Sequence, residues 1–191
     1  MNELHRRFLA SPEWGATLEA ELLPWLASLA DLGDDVLEVG PGPGLTTDIL
    51  RRRAARVTAV EVDGDLAAAL AARLAGTNVE VLEGDATATG LAPDRFSAAT
   101  CFSVLHHMPD PGAQDRLFAE VFRVLRPGGT FAGIDSVDSE FMRQAHLDDT
   151  FVPVAPDTLG GRLEAAGFDP PTVTVVDERV RFVARKGPGA G

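Results

Sequence analysis

Hydrophobic positions along the 191-residue chain change period several times, and each change marks a new element. Leu18, Leu22, Leu26 and Leu29 recur at spacings of four and three, with Trp14 and Trp25 nearby, which predicts helix within residues 1–32. Ser11-Pro12-Glu13 reads as a helix start and Pro24 as a kink. Short apolar runs at residues 36–39, 57–60, 79–82 and 96–102 read as strands. Between them lie helical stretches at residues 45–53 and 65–75, the second rich in Ala and Leu. Residues 114–125 carry Leu117, Val121, Val124 and Leu125 inward, and Arg126-Pro127-Gly128-Gly129 stops this helix before a fifth strand at residues 130–134. A helix near residues 156–166 ends at Gly167. Two last strands, residues 173–176 and 180–184, lie close enough across Asp177-Glu178-Arg179 to form a hairpin.

This alternation is the pattern of an α/β fold, a parallel sheet with helices on both faces, finishing in an antiparallel pair. The length suits one domain. Residues 1–32 are expected to form a helical cap within it, residues 33–186 the main body, and the Gly/Pro-rich residues 187–191 a disordered tail.

Composition then removes chemistries. The chain has no Tyr, and its single Lys is Lys186, near the C-terminus. That excludes a P-loop or kinase lysine, a Schiff base with a carbonyl cofactor, and the Tyr/Lys relay of short-chain dehydrogenases. A net charge of −12 repels polyanions, so no nucleic-acid partner is expected. The basic cluster Arg51-Arg52-Arg53 with Arg56 falls where a helix ends, and cations there complement its dipole. Cys101 is the only cysteine, which excludes an intramolecular disulfide and a cysteine-based zinc site. In an apolar strand it is expected to be inert packing. No apolar run is long enough for a membrane span, and a cytoplasmic protein is expected.

Three acids stand at the carboxyl ends of three successive predicted strands. Glu38 precedes Gly40-Pro41-Gly42-Pro43-Gly44, whose glycines let a ligand lie against the backbone before a helix N-terminus. A dinucleotide fingerprint requires glycine at its sixth position, which here is Leu45. An acid beside the loop disfavours pyrophosphate and suits a ligand carrying an ammonium group. Glu61, at the end of the second strand, is placed to accept from a ribose diol, with Val62 able to pack on a base. In Gly84-Asp85-Ala86, Asp85 can accept from an exocyclic amine of adenine, and the Ala86 N–H can reach a ring nitrogen.

This constellation resembles the class I S-adenosylmethionine-dependent methyltransferases, in particular small methyltransferase-type-11-like domains, over residues 34–135. Residues 36–44 look like the family's first motif, Glu61 and Asp85 match its ribose- and adenine-binding acids, and Leu125-Arg126-Pro127-Gly128-Gly129 looks like its signature before strand five. The resemblance implies S-adenosyl-L-methionine as cofactor and a Rossmann-like, mostly parallel seven-stranded sheet of order 3-2-1-4-5-7-6. It also implies that the methionine ammonium lies near Gly40 and the backbone around Cys101 and Phe102, and that the reaction is in-line methyl transfer. A nucleotide-binding oxidoreductase, or a regulatory module that binds cofactor without turnover, are the competing readings.

A base is needed if the acceptor is a hydroxyl, and His106 and His107, after strand four, are candidates, with His146 a further one. A divalent-cation site from Asp135, Asp148 and Asp149 lacks a defined spacing, so a solvated loop is the preferred reading and no metal is expected. Base-methylating relatives carry Asp/Asn-Pro-Pro-aromatic after strand four, where this chain has Ser103-Val104-Leu105-His106; Asp169-Pro170-Pro171 lies elsewhere. A small, partly apolar acceptor is expected, walled by Phe8, Trp14, Phe141, Met142, Phe151 and Val152.

Overall fold

The computed structural model describes residue 11 and residues 15–16, 18–28 and 32–189. Phe8, Trp14 and Leu29 lie outside the described residues, as does the end of the expected tail.

A π-helical turn, Leu18–Leu22, runs into helix α1, Leu23–Ser28. The break expected at Pro24 takes the form of this widened turn immediately before it, which leaves proline in a first helical turn, where no N–H is missed. The elements that follow are β1 (Asp35–Val39), α2 (Leu45–Leu50), β2 (Arg56–Glu61), α3 (Gly64–Arg73) and β3 (Val79–Glu83). Then come β4 (Phe96–Phe102), a 3₁₀ turn (Leu105–His107), α4 (Pro111–Val124), β5 (Leu125–Ser136), α5 (Glu140–Ala145), α6 (Pro156–Ala165), β6 (Thr172–Val176) and β7 (Arg179–Arg185).

All seven strands form one sheet in the order β3-β2-β1-β4-β5-β7-β6, as the resemblance implies. The first five are parallel, and β7 runs antiparallel to both β5 and β6. The β6–β7 turn is two residues, Asp177 and Glu178, with φ of +48° and +58°. Two successive positive φ values are the I′ geometry whose twist matches a hairpin.

Alternation along β1 divides the molecule into two cores. Leu37 and Val39 face Leu117, Phe118 and Val121 of α4 and Leu159 and Leu163 of α6. Val36 faces the other way, with Leu18, Leu22 and Leu26 of the N-terminal helical segment and Ile49 and Leu50 of α2. Fully burying an aliphatic side chain contributes about 1.5–3 kcal/mol, so these stripes hold the helices to the sheet.

Several element boundaries differ from expectation, among them the end of α2 at Leu50 where residue 53 is expected, and two of the differences have a plain cause. Helix α4 begins at Pro111, three residues earlier than its apolar stripe, because Asp110 caps it by accepting from the Ala113 N–H at 2.7 Å and proline occupies its first position. Strand β5 begins directly at Leu125; Arg126 to Gly129 are bulged out, since Phe96 pairs with Leu125 but Ala98 already pairs with Thr130. Helix α5, capped by Ser139, has no buried residue and therefore no apolar stripe to announce it. Among the described residues, no helix is long and apolar enough to cross a membrane.

Candidate functional site

Strand order runs outward from β1 in both directions, to β2 and to β4, and a cleft of about 480 Å³ opens beyond their carboxyl ends. Its lining includes the loop after β1, Glu61 to Asp63, Gly84 to Thr87, Phe102 to Val104 and His107 to Pro109, with Leu18 and the first turns of α4.

The glycines of the first loop have separate duties. Gly40, Gly42 and Gly44 have φ of +64°, +53° and +87°. A Cβ on Gly40 would stand 2.5 Å from Val104 Cγ2, and one on Gly44 2.3 Å from Leu70 Cδ1, whereas one on Gly42 meets nothing within 4 Å. Gly40 and Gly44 therefore permit close packing, and Gly44 does not line the cleft, while Gly42 does. The φ strain alone costs about 1–2 kcal/mol for an L-residue. Gly40→Ala is expected to lower the melting temperature clearly more than Gly42→Ala in differential scanning fluorimetry; equal shifts would refute the packing role.

Glu61 is 6% exposed and ties two loops together. One carboxylate oxygen accepts from the Gly42 N–H at 2.9 Å and the other from the Asp63 N–H at 3.0 Å. Each oxygen keeps a second lone pair for a diol. Val62 beside it is 74% exposed on the cleft wall, an apolar surface available to a flat ring. Asp85 is exposed at the third strand end; one of its oxygens accepts from the Thr87 N–H at 2.8 Å, and Ala86 lines the cleft beside it.

Glu38 lies elsewhere than its place at a strand end suggests. It is buried under the glycine loop, accepts from the Thr46 hydroxyl and does not line the cleft. Burial pushes its carboxyl up from 4.5 to about 7, against the opposing Thr46 hydrogen bond. A carboxyl whose folded pKa exceeds its unfolded one is stabilising while protonated, and that contribution is lost as pH rises from 4.5 through about 7. Its full size is about 3 kcal/mol. Denaturant unfolding of Glu38→Gln should show the variant gaining on the wild type as pH is raised from 5 to 8, and parallel pH profiles would refute the assignment.

Behind the cleft, Asp135 at the end of β5 braces the segment after β4. One oxygen accepts from the Val104 and Leu105 N–H groups at 3.0 and 2.8 Å. The other accepts from Ser136 N–H at 2.8 Å and from His106 Nδ1 at 2.7 Å. The braced segment includes Ser103, whose φ of +57° is unusual for a residue with a side chain. Asp135 is thus engaged by the fold and is no partner for the exposed Asp148 in an oxygen-ligand site. An acid at a strand end was the signal for this role, the same one that marked Glu61 and Asp85.

His107 lines the cleft; His106 and His146 are buried and do not. The three rings nevertheless meet, with centroids 4.1, 5.0 and 5.1 Å apart. Phe151 stacks on His146 at 4.9 Å, and the Val152 N–H donates to the His106 carbonyl at 2.8 Å. Phe141, Met142, Phe151 and Val152, expected as walls for an acceptor, do not line this cleft. Phe102 does, resting edge-on against Trp25 at 6.5 Å. Cys101 is buried, and burial together with the Asp135 charge pushes its thiol well above the usual range, so it is no nucleophile.

Residues 37–133 match the methyltransferase domain family. A ubiquinone biosynthesis O-methyltransferase of Pseudomonas fluorescens (strain Pf0-1) is 36% identical over 111 residues, covering 55% of this chain and 46% of that protein. The chain thus spans about half the length of the curated relatives it matches. Among solved structures, a SAM-dependent methyltransferase from Aquifex aeolicus superposes with a TM-score of 0.76 at 22% identity, covering 97% of this chain and 99% of that one. The DhpI complex with SAH superposes with a TM-score of 0.74 at 24% identity, covering 95% and 91%. These likenesses define the fold as the Rossmann-like sheet of methyltransferases. The chain belongs to the class I S-adenosylmethionine-dependent methyltransferase family.

Proposed function

We propose that this protein transfers a methyl group from S-adenosylmethionine to a hydroxyl oxygen of a small molecule. The observation that carries the reading is the cleft itself, where Glu61, Val62, Asp85, Ala86 and Phe102 stand around the glycine loop at the switch point of the sheet. The volume is that of a cofactor site, and the carboxylates offer acceptors where a ribose and an adenine amine need them. In this reading Gly40, Pro41 and Gly42 let the cofactor approach the backbone, and Glu38 acts from beneath by shaping the loop. When bound, the cofactor supplies a methyl group already activated on a sulfonium. The protein's work is then to hold the acceptor in line and exclude water. The choice of oxygen is supported by the O-methyltransferase relatives, which match over 111 residues of this chain. His107, on the cleft wall, is the group at hand for an acceptor hydroxyl, with His106 and His146 as its positioning residues.

Isothermal titration with S-adenosylhomocysteine tests the cofactor, with NADH as the competing ligand. Phenols, catechols, enols and amines incubated with S-adenosylmethionine test the acceptor. Binding of S-adenosylhomocysteine and methylation of hydroxyls alone are expected; no binding, NADH binding in its place, or turnover confined to amines would overturn the reading.

A further inference from the structure

Three of the chain's four histidines converge at one point from two segments separated by about forty residues. Packing imidazoles together in the interior is a costly way to fill space, because each brings polar nitrogens out of water. We propose that His106, His107 and His146 form a binding site for one divalent transition-metal ion of the zinc class.

Each ring has a ligand nitrogen within 4.8 Å of those of the other two. Zinc–imidazole bonds of about 2.0–2.1 Å in a tetrahedron place ligand nitrogens about 3.3 Å apart. Modest side-chain rotation closes that difference, and His107, the least buried of the three, is the member placed to turn. The other two are already oriented from behind. His106 Nδ1 donates to Asp135 at 2.7 Å, and His146 Nδ1 donates to the Met142 carbonyl at 2.8 Å. A carboxylate and a backbone carbonyl only accept, so in the neutral form of each ring the lone pair is on Nε2. This is the outer support that metal-bound histidines require, and the buried Asp135 charge also favours a cation beyond the ring. Phe151, stacked on His146 at 4.9 Å, also fixes the plane of that ring.

Imidazole sets of this kind suit zinc and its neighbours and not calcium or magnesium. Three protein ligands leave a fourth position for water or an acceptor oxygen, whose proton such an ion makes easier to lose, so with metal bound the ion takes over the part that His107 has in the metal-free protein. The location beside the acceptor rests on the function proposed above; the metal site itself does not.

The test uses the tag-free full chain, stripped with a chelator and desalted. Zinc is titrated in competition with a fluorescent chelator, and cobalt(II) is added separately as a visible-absorption probe. One zinc per chain and the intense d–d band of tetrahedral cobalt are expected. His107→Ala and His146→Gln, which lie on separate segments, should each weaken zinc binding about tenfold or more and abolish the band. Circular dichroism melts confirm that the variants are folded. Zinc-edge X-ray absorption of the wild type, which reads imidazole ligands directly, decides the matter if either variant misfolds. Absence of stoichiometric binding, binding that both substitutions leave unchanged, or a zinc shell without imidazole would overturn the site. A parallel S-adenosylhomocysteine titration separates the two readings: cofactor binding without zinc sinks the metal site alone, and zinc without cofactor sinks the proposed function alone.

Discussion

Glu61→Ala is expected to weaken S-adenosylhomocysteine binding by a factor of roughly a hundred or more, about 3 kcal/mol in binding free energy. Two losses combine. The carboxylate is the acceptor placed for a ribose diol, and hydrogen bonds to a charged group are each worth about 1.5–3 kcal/mol. It also accepts from the Gly42 and Asp63 N–H groups, so its removal unties the glycine loop from the start of α3. Glu61→Gln keeps the volume and one acceptor oxygen, and an intermediate loss is expected of it. Isothermal titration of both variants, with thermal melts to confirm folding, measures this. A loss below tenfold in the alanine variant would remove Glu61 from the cofactor site.

Asp135→Asn is expected to cost about 3 kcal/mol of folding stability and, at this chain length, about 6–12 °C in melting temperature. Asp135 receives four donors, the Val104, Leu105 and Ser136 N–H groups and His106 Nδ1, and it is wholly buried. An amide offers one accepting oxygen and turns an NH₂ group toward the remaining donors, so polar groups are stranded away from water. Urea unfolding and calorimetry would show it; a fall of less than about 2 °C would mean that the segment after β4 stands without its brace.

Much of this architecture was legible along the chain because its signals are local. Short apolar runs between helical repeats mark every strand, and glycine or proline marks most of the breaks. Helix α5 carries no periodic signal because it buries no residue, and the Asp110-Pro111 start of α4 lies ahead of its apolar stripe. The strand order came from resemblance, since periodicity says which residues share a face and not which strands are neighbours.

The candidate site divides along the same line. The glycine loop, the acids at successive strand ends and the pair of histidines after β4 can be read along the chain, because each is set by a few adjacent residues. Which acids meet solvent in the cleft depends on how the folded segments pack. Glu61 and Asp85 do, whereas Glu38 is turned beneath the loop toward Thr46, and Asp135 is committed to the chain behind His106. The same packing also brings His146 to His106 and His107. The physical reason is that burial, charge state and ring contact depend on what packs against a side chain, and those neighbours come from segments distant in sequence.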